Sequence, residues 1–182
     1  SGTTQHVLAL SIYDGSSWTT QDIDTASRTG YRPSIAIDNQ GALHIAYIDR
    51  DNTNLRYATN ASGTWVLSTL DNSAVNPVND WVKTGIAIDN KGHVHIIHPV
   101  SGSGVWVLNY TTNVSGSFVS TTITDTTEDD GKYASLAIAG NGSLHISVYR
   151  DSGGSDLRYY TDETGVWTNE TVHTGSNYGK DS

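Results

Sequence analysis

The sequence predicts an all-β protein built from a repeated unit of four antiparallel strands. A first motif, Ser34–Ile45, recurs as Gly85–Ile96 and again as Ser135–Ile146. A second motif follows each copy of the first, so that the whole unit repeats about every 50 residues. Self-similarity at a fixed period of about 20–50 residues is typical of solenoids, propellers and other repeat architectures.

The four strands of the unit can be placed in order on its best-preserved copy. Alternating small, β-branched and aromatic residues predict strands at Ser34–Asp38, Leu43–Ile48, Asn54–Thr59 and Trp65–Leu70. The residues between them, such as Asp38–Gly41, are typical of tight turns. No segment shows the sustained apolar face of a helix.

Four short strands in each repeat predict one blade of a β-propeller. A single blade buries its faces only by stacking on its neighbours around an axis. The innermost strand carries a small residue at one place in each repeat, namely Ala36, Ala87 and Ala137. The outermost strand begins at a large ring that we expect to wedge between blades, at Trp18, Trp65, Phe118 and Trp167.

The repeats divide the chain into about three and a half blades. We expect residues 31–71, 81–125 and 132–173 to form three blades, because each contains both motifs. Residues 1–24 contain only the second motif and predict half a blade, and residues 174–182 resemble a linker to a further strand. The expected partners of the outer faces are therefore other blades of the same protein or a second copy of the chain.

The two motifs read Ser-Ile-Ala-Ile-Asp-x-x-Gly-x-x-His-Ile and Leu-x-Tyr-x-Thr-Asn-x-x-Gly-x-Trp. This pattern resembles the repeats of secreted microbial β-propeller proteins. The turn from Asn60 to Trp65 is similar to the Asp-box hairpin of sialidase-like propellers and propeller lectins, although its glycine falls one place late. The resemblance implies the fold more strongly than the function, since propellers host many functions.

Composition narrows the possible functions. The chain has 182 residues, a net charge of −9 and no cysteine. Scattered basic residues argue against nucleic acid as a partner, and no apolar stretch is long enough for membrane insertion. Without cysteine, the chain has neither a disulfide framework nor a thiolate zinc site. The lack of both Cys and Met, with abundant Thr, Ser, Gly and Asn, favours a secreted or cell-surface protein.

Three histidines, His44, His95 and His145, occupy the same place in each repeat. A shared zinc ion is one interpretation, but equivalent positions of successive blades lie apart around the ring. We therefore expect each to make a structural hydrogen bond within its own blade. A metal site in which His93 and His95 share one strand face and are joined by a neighbour is a further, less favoured alternative.

Two oxygen-rich loops are candidates for calcium binding. Asp49–Asn54 has an Asp-x-Asp-x-x-Asn spacing, and Thr126–Gly131 is similarly acidic. Neither has the later ligands of an EF-hand loop, so a solvated hairpin loop is favoured. We expect no cofactor and no metal site, and we nominate no catalytic residue.

Aromatic residues just before the first strand of each repeat are the candidates for ligand binding: Tyr31, Trp81, Tyr133 and, in the tail, Tyr178. Rings along one rim could stack on sugars, and repetition would make the binding multivalent. The alternative is that they pack over the neighbouring blade.

The sequence therefore favours a non-catalytic binding module for glycan or protein. Two alternatives stay open. One is a self-assembling scaffold or adhesin segment, and the other is part of a propeller glycosidase or polysaccharide lyase.

Overall fold

The computed structural model describes residues 6–26, 28–72, 81–102 and 104–175. These residues form an all-β structure in which no helix is present. The strands are β1 Leu8–Tyr13, β2 Trp18–Asp24, β3 Tyr31–Ile37, β4 Leu43–Asp49, β5 Asn54–Thr59, β6 Val66–Asp71, β7 Gly85–Ile88, β8 Val94–Gly102, β9 Val105–Thr112, β10 Val119–Thr122, β11 Lys132–Ile138, β12 Leu144–Arg150, β13 Asp156–Thr161 and β14 Thr168–His173.

The strands form one two-stranded and three four-stranded antiparallel sheets. The half blade is β1–β2, and blades 2, 3 and 4 are β3–β6, β7–β10 and β11–β14, each in sequential order. The predicted β-propeller blades are therefore confirmed. Among the described residues, no helix is long and apolar enough to cross a membrane.

The inner strand of blade 2 begins earlier than predicted, at Tyr31 rather than Ser34. β4 runs to Asp49, so Tyr31 can pair with Ile48, and a bulge between Tyr31 and Ser34 absorbs the mismatch. Arg32 takes a φ of 52° within this bulge. A bulge of this kind leaves no clear sequence signal, because the neighbouring Pro33 suggests a loop.

Two rims result from the meander. The hairpin rim carries the turns between the first and second strands and between the third and fourth strands of each blade. The connection rim carries the segments that join one blade to the next. At this rim the equivalent residues Gly30 and Gly131 lie against the third strand of the preceding blade, and a Cβ at Gly131 would lie 2.7 Å from the Val107 carbonyl oxygen.

Apolar side chains fill each space between blades. Ile45 and Tyr47 of blade 2 pack on Leu8 and Ile23 of the half blade. The two faces of β8 pack against different neighbours: Ile96 packs towards blade 2, whereas Ile97 packs towards blade 4. Alternate residues of each central strand thus bury opposite faces of the blade, as a stacked sheet requires.

The ring that precedes the outer strand of blades 3 and 4 packs on a tyrosine of the preceding blade. Phe118 lies 5.3 Å from Tyr57, and Trp167 lies 5.4 Å from Tyr110, measured between ring centroids. Trp65 packs against the core beside the half blade. Trp18 has no preceding blade among the described residues and is 69% exposed.

Buried carboxylates also join consecutive blades. Asp24 of the half blade accepts hydrogen bonds from Tyr47 and Arg56 of blade 2, at 2.7 and 3.0 Å. Asp71 of blade 2 lies 3.1 Å from both His98 and Asn109 of blade 3. Such pairs fix how one blade sits on the next, because a misplaced blade would leave a buried charge without its partner.

Candidate functional site

A groove of about 430 Å³ opens between blades 3 and 4 at the hairpin rim. Blade 3 contributes the β7–β8 turn, His95 of β8 and the end of β9, and blade 4 contributes its own β11–β12 turn and Asp162. Small-molecule sites commonly enclose roughly 300–1,000 Å³ and combine apolar walls with a few placed polar groups.

Asp89 organises the blade 3 side of the groove. Its Oδ1 accepts hydrogen bonds from the backbone N–H groups of Lys91 and His93, at 2.9 and 2.7 Å. Its Oδ2 lies 2.8 Å from Nδ1 of His93. Partial burial would raise the pKa of Asp89, but the hydrogen bonds from His93 and Lys91 outweigh it and hold this pKa below its ordinary value. The carboxylate is therefore ionised at neutral pH.

His95 and Tyr110 form the inner wall. Nδ1 of His95 lies 2.6 Å from the Tyr110 hydroxyl, and Trp167 packs on the same tyrosine from blade 4. Nε2 of His95 lies 3.7 Å from Oδ2 of Asp89, which is too far for a hydrogen bond. Burial lowers the pKa of His95, although Asp89 partly opposes the shift. The imidazole is therefore neutral at pH 7.

Asp162 supplies the second carboxylate of the groove. Its Oδ1 accepts the N–H of Leu144 at 2.7 Å. Asn60 and Asn113 occupy the equivalent positions in blades 2 and 3. Their side-chain oxygens accept hydrogen bonds from the backbone N–H groups of Leu43 and Val94, respectively. An amide oxygen therefore suffices for the turn, and the negative charge of Asp162 is an addition specific to this groove.

The three repeated histidines each contact a tyrosine of their own blade, in the pairs His44–Tyr57, His95–Tyr110 and His145–Tyr159. The second ring nitrogens of these histidines differ in their hydrogen-bond partners. Nε2 of His44 lies 3.2 Å from Asp38, whereas blade 4 has Ala139 at the place of Asp38, and Nε2 of His145 lies 3.2 Å from the Ser143 hydroxyl.

The nominated aromatics lie at the opposite, connection rim. Tyr31 contacts Arg50, Trp81 packs edge-on against Trp106 at 4.3 Å, and Tyr133 packs against Tyr149. The strand registers place them three, four and two residues before Ser34, Gly85 and Ser135, so they are not equivalent positions of the repeat. Tyr178 lies outside the described residues, and a ligand-binding role for these rings stays a prediction.

Carboxylates of the two oxygen-rich loops bind donors of the protein itself. Both oxygens of Asp49 accept hydrogen bonds from donors of its own loop, namely the N–H of Asp51 and the N–H and amide of Asn52. Glu128 lies 3.0 Å from Arg150 and 2.8 Å from Arg158. In the described part of the chain, no group of three metal-ligating side chains converges.

The neutral state of His95 predicts a pH dependence of stability. The unfolded chain binds a proton at this histidine as the pH falls through about 6.5, whereas the folded chain binds it only at lower pH. Each pH unit below that point costs up to about 1.4 kcal/mol of unfolding free energy while folded His95 stays neutral. Denaturant unfolding from pH 7.5 to 5 should therefore show stability falling with pH, and less steeply in His95→Asn.

His95→Asn keeps a side-chain polar atom near Tyr110 and removes the titration. Equal slopes in wild type and His95→Asn would show that His95 takes up its proton in both states alike.

Sequence reasoning noted His93 and His95 but missed Asp89 and Asp162 as a pair. A signal was present, because both sides of the groove depart from the repeat. His93 stands where the other copies have Ala42 and Ser143, and Asp162 stands where they have asparagine. Departures from a repeat mark places where one blade does something that its neighbours do not.

No protein-family model matches the sequence, and no curated protein matches it either. Among solved structures, a fucose lectin from Kordia zhangzhouensis in complex with methyl-fucoside is 16% identical over 78% of this chain and 99% of the lectin chain, with a TM-score of 0.52. An ulvan lyase, a polysaccharide lyase bound to -[GlcA(1-4)Rha3S]-, is 12% identical over 92% of this chain, with a TM-score of 0.59. A second structure of a polysaccharide lyase of this kind gives the same values.

The chain spans about half the length of the lyase, 48%, and nearly all of the lectin chain. The resemblance to sialidase-like Asp-box repeats gains no support from a family model and stays a prediction. At these identities, the similarity to both structures shows the fold of this chain, an array of four-stranded β-propeller blades.

Proposed function

We propose that the chain is a secreted or cell-surface glycan-binding module whose site is the groove between blades 3 and 4. The observation that carries the proposal is the charge of Asp162, which the turn does not need and which faces a groove that already contains ionised Asp89. Two carboxylates on opposite walls accept hydrogen bonds from ligand hydroxyl groups, and such charge-assisted bonds are the stronger kind.

The remaining lining suits a saccharide. His93 is partly exposed and can turn its outer ring nitrogen to a ligand, while Asn141 offers an amide. Val114 is 52% exposed at the mouth of the groove and gives an apolar contact for a C–H face or a methyl group. Fixed polar groups beside one apolar wall provide orientation and specificity together.

The charge favours a neutral saccharide over an acidic one. Both carboxylates and the net charge of −9 repel uronates and sulfates, and among the described residues Lys91 is the one lysine that lines the groove. The fold is shared with a lectin bound to methyl-fucoside and with a lyase bound to -[GlcA(1-4)Rha3S]-, which is acidic. Of these two ligand classes, the first is the better match to the charges here.

Glycan-array screening followed by calorimetric titration tests the proposal, with methyl-fucoside as the first probe. Asp162→Asn keeps the acceptor for Leu144 but loses the charge, so we expect an affinity loss of about tenfold or more with unchanged thermal stability. Asn60→Asp places a carboxylate at the equivalent turn of blade 2 and should leave the affinity unchanged. Failure of the wild type to bind any neutral glycan, or equal affinity in Asp162→Asn, would overturn the proposal.

A polysaccharide lyase segment is the second candidate, and the pairing of His95 with Tyr110 favours it, since histidine and tyrosine are common proton-transfer groups. It predicts release of unsaturated uronate from an acidic polysaccharide, measured by ultraviolet absorbance. Activity that disappears in Tyr110→Phe would favour this candidate over a lectin.

A further inference from the structure

One position of the repeat determines which partner the repeated histidine of each blade finds. This position follows the glycine of the turn between the first and second strands, and in blades 2, 3 and 4 it is occupied by Ala42, His93 and Ser143. In blade 2 the alanine offers no side-chain donor, and Nε2 of His44 lies 3.2 Å from Oδ2 of Asp38. In blade 4 Nε2 of His145 lies 3.2 Å from the serine hydroxyl instead.

Blade 3 has the same turn as blade 2, but its repeated histidine loses the carboxylate. Oδ1 of Asp38 and Oδ1 of Asp89 each accept two backbone N–H groups of their own turn, at 2.7 to 2.9 Å. The two side chains are also similarly buried, with 9% and 12% exposed. In blade 3, however, Oδ2 of Asp89 lies 2.8 Å from Nδ1 of His93 and 3.7 Å from Nε2 of His95. Because turn and burial match, the side chain of His93 accounts for the difference.

The consequence is an unsatisfied nitrogen in the wall of the groove. Nε2 of His95 is buried and has no hydrogen-bond partner, whereas Nε2 of His44 has one. A buried polar atom without a partner costs free energy. Asp89 would recover that cost by moving onto His95, as Asp38 does onto His44. The bond from Nδ1 of His93 opposes this movement.

We propose that His93 is a positioning residue, which keeps the carboxylate of Asp89 available to a ligand and makes the junction between blades 3 and 4 the glycan site. The inference rests on the proposed function of the groove. A carboxylate bonded to His95 would withdraw into the inner wall, whereas one bonded to His93, whose side chain is 31% exposed, stays beside the open groove. At the junction of blades 2 and 3, Asp38 is withdrawn in this way, and Asn113 stands at the repeat position of Asp162.

The first test needs no glycan, because it follows the imidazole of His95 by nitrogen-15 NMR, with His95→Asn to assign the signal. In His93→Ala, which copies blade 2, Asp89 should move onto His95. The Nε2 signal should then shift, and the pKa of His95 should rise because a closer carboxylate stabilises the protonated ring. His93→Asn keeps a side-chain N–H at the place of Nδ1, so the His95 signal should stay as in the wild type. An unchanged His95 signal in His93→Ala would overturn the proposal.

The reverse substitution, Ala42→His, is the matched control in blade 2. The new imidazole should take Asp38 from His44, so the His44 signal should shift while the His95 signal stays in place. This variant changes no residue of the groove, and its affinity for glycan should equal that of the wild type. A His44 signal that does not respond would show that this repeat position does not control the carboxylate.

The second test is calorimetric titration with methyl-fucoside, or with the best neutral glycan from the array. We expect His93→Ala to lose affinity about tenfold or more, and His93→Asn to lose less because it still holds Asp89. Equal losses in the two variants would reduce His93 to a ligand contact and overturn its positioning role. A wild type that binds no neutral glycan, although His95 shifts as expected in His93→Ala, would overturn the proposed function and leave the placement of Asp89 by His93 confirmed.

Discussion

Replacing Asp130 by alanine is expected to lower the free energy of unfolding by about 3 kcal/mol, near the lower end of the range for breaking a buried ion pair. Asp130 is fully buried where blade 3 joins blade 4, and its Oδ2 accepts hydrogen bonds from Tyr160 at 2.5 Å and from Arg158 at 3.0 Å. The change leaves both donors without that acceptor. Glu128 still holds the other Nη of Arg158 at 2.8 Å, which limits the loss.

The matched control is Asp51→Ala, which breaks an ion pair of similar length at the surface. Asp51 lies 3.2 Å from Arg28, with about two fifths of each side chain exposed. Solvent screens such a pair, so its loss should cost about 0–1 kcal/mol. Urea unfolding of both variants measures the difference, and equal losses would contradict a special role for the buried carboxylates between blades.

Leu108→Ala is expected to destabilise the chain by about 2–5 kcal/mol, because it opens a cavity in the apolar layer between blades 3 and 4. Leu108 is fully buried and belongs to the cluster that contains Ile97 of blade 3 and Ile146 of blade 4. The neighbouring strands are tied by their ladders, so the layer can collapse only in part around the missing atoms.

Val119→Ala is the control for that substitution, because Val119 is 51% exposed on the outer strand of the same blade. Its loss should stay within about 0.5 kcal/mol. A cost for Leu108→Ala no larger than that for Val119→Ala, measured by the same urea unfolding, would mean that this layer does not hold the blades together.

The strands of each blade were predictable because the repeat aligns independent copies of one pattern. Predicted Asn54–Thr59 is the observed β5, and predicted Leu43–Ile48 differs from β4 by one residue at its end. The start of β3 was not predictable, since the bulge depends on how far β4 extends to meet Tyr31. The ion pairs between blades could not be predicted from the sequence either, because Asp24 contacts Arg56 only when two blades are stacked.

The candidate site was less predictable than the fold. Repetition drew attention to residues that the blades share, such as His44 and His145, whereas the second carboxylate of the groove, Asp162, departs from the repeat. Asp89 and Asp162 are far apart in sequence, and their approach depends on the angle between blades 3 and 4. The rings at Tyr31, Trp81 and Tyr133 looked equivalent by spacing, but strand register separates them.

The most direct test of the proposed function is a map of backbone amide chemical shifts during titration with methyl-fucoside, or with the best neutral glycan from the array. The groove predicts that shifts concentrate at residues 89–95, 112–114, 141–143 and 162, on the hairpin rim. Shifts at Tyr31, Trp81 and Tyr133 with none in the groove would move the site to the connection rim and contradict the account.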